Sequence, residues 1–310
     1  MQAILECGEE AKSSLLTRAL YYRDSEVDSD DPIDGRNEGL FERGKFTKLS
    51  KSMKLSGVLF EYVFRMSRHL VSGVDVDVKV FHSNTPFMLM SAEKGKEYLI
   101  VLGDAYLRVC RLKINDALIT AQDKQFEKVN ALYACEKNTE KMAYIVKDNL
   151  DFNWDAMYRD KVPTRLVVGL VKSDGVNGSL NVNPFNFQGD IVKRIGVYMN
   201  GRSAPGHPYE ANNIEVYNAM FEWDGNNIEN RYNRGGLDIS RNEFDKGYAL
   251  YVFNLQDIGE SGKYLNLLKY GNLRMEVEFT SALTNTFNVI ALAKFPAVIE
   301  VNKTRNVFLK

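Results

Sequence analysis

The chain has 310 residues, 45% of them hydrophobic and 26% charged, which is enough apolar material for more than one core. Its formal net charge is -1, so no overall positive field draws it to nucleic acid. Three cysteines, Cys7, Cys110 and Cys135, are far apart and form no CxxC pair, which argues against a disulfide framework; no apolar run is long enough for a bilayer span or a secretory leader. The expectation is a soluble, two-domain protein of a reducing compartment with free, buried thiols.

In chain order, residues 3–22 read as a helix broken near Gly8. Residues 24–34, DSEVDSDDPID, are acidic but lack the EF-hand spacing and its terminal Glu, so they read as a solvated, mobile loop. Residues 58–64 and 98–102 are apolar runs of strand length. Residues 74–81 alternate strictly, with Val74, Val76, Val78 and Val80 on one face and Asp75, Asp77 and Lys79 on the other, the pattern of a half-buried antiparallel strand. Further strands are expected at 165–171, 195–199, 248–253, 274–279, 287–292 and 297–301. Asn200-Gly201 is a tight-turn signal. A second helix is expected over 209–223, with Ile214, Tyr217 and Phe221 on one stripe and Gly225 as its stop. The class is therefore mainly β with short connecting helices, a sandwich or jelly roll rather than a doubly wound sheet.

The chain also repeats itself at domain scale. Residues 37–48, NEGLFERGKFTK, match residues 235–246, GGLDISRNEFDK, placing Arg43 and Phe46 opposite Arg241 and Phe244. Each block is preceded by a predicted helix and followed by an aromatic strand, then a Gly-led alternating strand. About ninety strand-rich residues, from Ala121 onward, precede the second helix; the first helix has almost none ahead of it. This reading divides the chain into 1–120, the latter part of a first sandwich, and 121–310, a complete second one. A sandwich without its first strands exposes unpaired edges and an apolar face.

Between two apolar runs lies VNGSLNVNPFNF, residues 176–187. Asn177, Gly178, Asn183, Pro184, Phe185, Asn186 and Phe187 suit a shaped loop: Asn and Gly accept turn geometry, Pro fixes one φ, and the two phenylalanines are expected as buried anchors. Residues 165–205, with Asn183-Pro-Phe-Asn-Phe at their centre, resemble the major capsid protein of Polinton/Maverick elements and adintovirus-like viruses. The similarity continues through 235–255 and 271–301, and at the front through CGEEAKSSLLTRALYYRD, NEGLFERGKF and SGVDVDVKVFHSNTPFMLM. The resemblance implies a double jelly roll, two eight-stranded sandwiches side by side, that trimerises into pseudo-hexagonal capsomers of an icosahedral shell. Its partners would be two further copies, neighbouring capsomers and minor capsid or penton proteins, and its location the virion. The sequence departs from that family at its start, where the segment that builds the first strands of the first jelly roll is absent.

No residue is assigned a catalytic, cofactor-binding or metal role, and no cofactor is expected. His69, His82 and His207 have no ligand-spaced partners, and GxSxG, Walker A and HExxH motifs are absent. Lys303, Arg305 and Lys310 are a weak signal for a surface facing packaged DNA. The rival function is a carbohydrate- or receptor-binding sandwich, which would show an exposed platform of Trp and Tyr; Trp154 and Trp223, the only tryptophans, lie in segments that read as partly buried. A cupin-like enzyme ranks third.

Overall fold

Among the described residues, strand-forming sequence pairs only after residue 130, and there the chain closes a jelly roll. The computed structural model describes residues 1–66, 68–93, 95–211, 214–223, 236–255 and 269–310. Eight strands carry the sandwich: β1 (Ala131–Ile145), β2 (Asp151–Tyr158), β3 (Arg165–Lys172), β5 (Val192–Met199), β6 (Arg202–Glu210), β8 (Leu250–Asn254), β9 (Leu273–Phe279) and β10 (Phe287–Val301). Short β4 (Phe187–Gln188) and β7 (Lys246–Gly247) pair with each other at one end, and β11 (Val307–Leu309) adds to β10.

One sheet has the order β1-β10-β3-β8 and the other β2-β9-β5-β6, all antiparallel. Within these sheets the first main strand pairs with the last, the second with the seventh, the third with the sixth and the fourth with the fifth. That is a long antiparallel hairpin rolled up on itself, the connectivity of a jelly roll. The mainly β class expected from composition and alternation is what the chain adopts.

Local chemistry accounts for the strands. In β9 the buried Met275, Val277 and Phe279 alternate with half-exposed Arg274, Glu276 and Glu278, as expected of a sheet with one wet face. β3 is buried on nearly its whole length because both its faces are covered. Tyr209 of β6 stacks on Phe253 of β8 across the sandwich, ring centroids 5.0 Å apart. Asn200 (φ 51°) and Gly201 (φ 82°) make the predicted turn between β5 and β6, where both central residues need positive φ.

β1 and β10 are each 15 residues long and pair over their full length, whereas β3 pairs with β10 only as far as Lys294. The remaining ribbon overhangs the sandwich. One face of the overhang carries Tyr133, Cys135, Ala297, Ile299 and Val301, which pack against Tyr62, Val63, Met66, Leu70, Val71 and Val74 in a second, smaller core. The Val71 amide donates to the Tyr133 hydroxyl at 3.0 Å.

Ahead of the sandwich run α1 (Gln2–Glu6), a π turn (Ala11–Leu15), a 3-10 turn (Leu16–Ala19), α2 (Glu38–Thr47), α3 (Thr85–Met88) and α4 (Asp116–Phe126). The helix expected over 3–22 is thus three short pieces: it breaks at the extended Cys7 and ends at Leu20 in the left-handed region, φ 58°. Among the described residues before Ala131 no strand forms. The runs at 58–64 and 98–102 and the alternating 74–81 have strand sequence but no ladder partner. Of the four alternating valines, Val74 reaches the small core, while Val80 is 81% exposed. The helix expected over 209–223 begins later: Tyr209 belongs to β6, where it opposes Ile195, and the helix is α6 (Ile214–Met220). Gly225, its expected stop, lies outside the described residues. The repeated Arg/Phe blocks fall on α2 and α7 (Arg241–Phe244), with Phe244 buried and Phe46 exposed. Cys135 is buried but Cys110 is exposed, which corrects the expectation that all three thiols are sequestered. Among the described residues no helix is long and apolar enough to cross a membrane.

Candidate functional site: the asparagine loop and its seam

The asparagine-rich loop leaves β3 through α5 (Ser173–Asn177) and re-enters the sheet system at β4. Gly178 turns the chain at φ +99°, and a Cβ there would sit 2.9 Å from Asn84 Nδ2. Asn84 in turn donates to the Asn177 carbonyl at 3.4 Å. Gly175 lets the loop fold back: a Cβ on it would stand 3.1 Å from the buried Pro184 Cα. Asn183 Oδ1 accepts the Phe185 amide at 2.9 Å, an Asx turn that pins the segment after Pro184.

The two phenylalanines part company. Phe187 is 1% exposed and lies against Gly169 of β3, whose absent side chain leaves room for the ring. Phe185, expected as a second buried anchor, is 53% exposed and meets Phe87 edge-on at 5.8 Å. The reason is the turn: the Asn186 amide donates to the Asn183 carbonyl at 3.4 Å, so Phe185 sits on the exposed corner of a turn while Phe187 has already entered β4.

Three asparagine amides, of buried Asn183 and Asn186 and of exposed Asn181, reach back in sequence to the acidic segment. Asn183 Nδ2 donates to Asp24 Oδ2 at 3.1 Å, Asn186 Nδ2 to Asp28 Oδ1 at 2.7 Å and Asn181 Nδ2 to Asp30 Oδ2 at 3.4 Å. Asn181 also donates to the Ser91 carbonyl at 2.8 Å. Between these carboxylates Val27 is buried, its Cγ2 only 2.3 Å from where a Cβ on Gly247 would stand. Gly247 has φ +101°, so both conformation and space require glycine. Tyr248 Oη donates to the Asp24 carbonyl at 2.7 Å, and burial, with Asp24 beside it, pushes its phenol well above the ordinary range. Arg43 of α2 binds Asp24 and donates to the Tyr22 carbonyl at 2.6 Å; Arg23 binds Asp238 at 3.2 Å and Glu243 at 2.9 Å. The acidic stretch read as a solvated, mobile loop is therefore in part a seated segment. Sequence reasoning missed Asp24, Val27, Asp28 and Tyr248; the one signal was a lone valine set among carboxylates.

The seam is a clasp of amides, carboxylates and one apolar knob, suited to holding segments in register. Among the described residues no group of three His, Cys, Asp or Glu side chains is placed to hold a metal ion. The basic C-terminal residues are engaged within the chain: Lys303 with Glu127 at 3.4 Å, Arg305 with Asp123 at 3.0 Å, and Lys310 with Glu300. Trp223 is wholly buried, and Trp154 is half-buried against Phe152, so neither offers the flat exposed platform a glycan reader would need.

No family model matches the chain. It is 23% identical over 309 residues to the uncharacterized protein F54H12.2 of Caenorhabditis elegans, covering 96% of this chain and 71% of that protein. Similar solved structures include the PBCV-1 virus capsid quasi-atomic model, with 11% identity and a TM-score of 0.36, covering 61% of this chain and 54% of that one. The Sputnik virophage structure gives 12% identity and a TM-score of 0.36, covering 58% and 39%. The mavirus major capsid protein gives 10% and 0.35, covering 58% and 41%. The chain thus spans about half or less of each of these three structures' chains.

Proposed function

We propose that this chain is a structural subunit of a virus-type capsid, a major capsid protein that works by packing and symmetry rather than by catalysis. The observation that carries the reading is the strand order β1-β10-β3-β8 over β2-β9-β5-β6, a complete jelly roll built from the half of the chain that holds the Asn-Pro-Phe loop. The domain-scale repeat supports a second such unit, with residues 1–120 as the latter part of one jelly roll and 121–310 as the whole of the other. Exposed apolar residues between 76 and 112, including Val80, Phe81, Leu99 and Val101, fit strands whose partners come from elsewhere in the assembly. On this reading three copies form a pseudo-hexagonal capsomer of an icosahedral shell, of the Polinton/Maverick and adintovirus-like kind. Neighbouring capsomers and minor or penton proteins would complete the surroundings, and the protein would reside in the virion.

Light scattering and negative-stain microscopy test this on the chain expressed together with any coding sequence upstream of it. A trimer with a hexagonal outline supports the proposal. A monodisperse monomer at high concentration counts against it.

A further inference from the structure

The acidic segment meets the sandwich as a ligand meets a receptor. Its recognition rests on side chains spaced along a short peptide: Asp24, Val27, Asp28 and Asp30 against Asn183, Gly247, Asn186 and Asn181. Tyr248 adds a hydrogen bond from the groove to the peptide backbone. The groove is assembled on a rigid base, the β4–β7 pair, with Phe187 of β4 locked against Gly169. The contacts are specific in kind. An apolar knob fills a space that exists only because Gly247 has no side chain, and neutral amide donors take the carboxylates on either side. The segment's outgoing connection, Ile33 to Arg36, is exposed and includes Gly35 at φ +74°. The connection therefore passes over the surface rather than through the core.

We propose that this groove is a peptide-recognition site for an acidic segment with a central valine, and that the same segment of a second copy can occupy it. In the single chain the site is filled in cis by residues 24–30. Between copies, exchange of that segment would tie one sandwich to its neighbour without any new surface, since donor and acceptor are already complementary. The proposal is independent of the capsid reading.

Two full-length variants test it. Val27→Asp spoils the knob and leaves the groove intact; Gly247→Ala blocks the groove and leaves the segment intact. A fluorescein-labelled peptide copying residues 22–31 is titrated into each by anisotropy. The expected result is saturable 1:1 binding to the Val27→Asp chain, at least ten-fold tighter than to the wild type, whose groove is occupied. A peptide carrying Asp at the valine position binds at least ten-fold more weakly. Light scattering of the two variants mixed shows a 1:1 pair that neither forms alone. If Val27→Asp does not fold, the Asp24→Ala/Asp28→Ala double variant, which loosens the segment but keeps the knob, takes its place. Two outcomes overturn the proposal. One is a variant chain that melts at the wild-type temperature yet binds neither peptide nor partner. The other is equal binding of the valine and aspartate peptides.

Discussion

Lys294 of β10 and Glu6 of α1 form an ion pair at 3.0 Å with both side chains almost wholly removed from solvent. Glu6 also accepts the Trp223 indole N–H at 3.2 Å and binds Arg65, while the Lys294 ammonium lies 4.5 Å over the Trp223 ring. One carboxylate thereby joins α1, the front segment and the sandwich.

Because both charges are buried, removing one leaves the other with a weaker partner: Lys294 keeps Glu136 at 3.9 Å, and Glu6 keeps the half-exposed Arg65. Glu6→Gln is expected to lower unfolding stability by about 3–5 kcal/mol, the cost seen when a buried pair is broken on one side. Replacing Lys294 by Met in the same chain should recover part of that loss. Urea unfolding of the two singles and the double measures the coupling, and strict additivity would contradict it.

Lys12 is buried with its ammonium donating to the Ile4 carbonyl at 2.8 Å and to the Leu237 carbonyl. Burial lowers its pKa to about 8, although Asp238 pulls the other way. The folded state therefore binds fewer protons than the unfolded chain between about pH 8 and 10. In that window stability should rise with pH, on the order of 3 kcal/mol in full, and fall again as pH drops back through 8. Tyr21 and Tyr209, raised to about 12 by burial, oppose this only where unfolded tyrosines ionise, above pH 10. Melting curves from pH 8 to 9.5 should show the rise in the wild type and lose it in Lys12→Met, which keeps the opposing fall from the Cys135 thiol, pushed up by burial.

Phe187 and Phe185 should separate folding from surface contact. Phe187→Ala empties space against Gly169 and is expected to cost about 3–5 kcal/mol. Phe185→Ala removes only an exposed edge contact with Phe87, at about 1 kcal/mol or less. On the proposed function, Phe185→Ala would weaken trimer formation at unchanged thermal stability. Calorimetry and light scattering on the same samples read the two effects independently.

Asn183→Asp sets a carboxylate against Asp24 in a buried position. Like charges raise the folded pKa of one partner, so the variant should lose about 1–3 kcal/mol at neutral pH. That loss should shrink as pH falls toward the carboxylate range, where one of the two takes up a proton. A penalty independent of pH would show that shape, not charge, decides the position.

Much of the sandwich is legible in the sequence because its signals are local. The Met275, Val277 and Phe279 alternation reports one dry face, and Asn200-Gly201 reports its own turn. The same alternation in Val74 to Val80 finds no ladder, since pairing depends on a distant strand that local pattern does not supply. The seam was opaque for a related reason. Asn183 meets Asp24 across 159 residues and Asn186 meets Asp28 across 158, so neither asparagine announces its partner. Polarity suggested that residues 24–34 face water; what seats them is a glycine at 247, far along the chain.

The overhanging β1–β10 ribbon gives the molecule a direction in which it resists force. Pulled along its own axis, the fifteen opposed positions from Ala131/Val301 to Ile145/Phe287 share the load at once, as a lap joint does. Peeled from one end, they would yield one by one. A shell in which tension between neighbours ran along this ribbon would meet the stiff direction, and one loaded across it would tear there first.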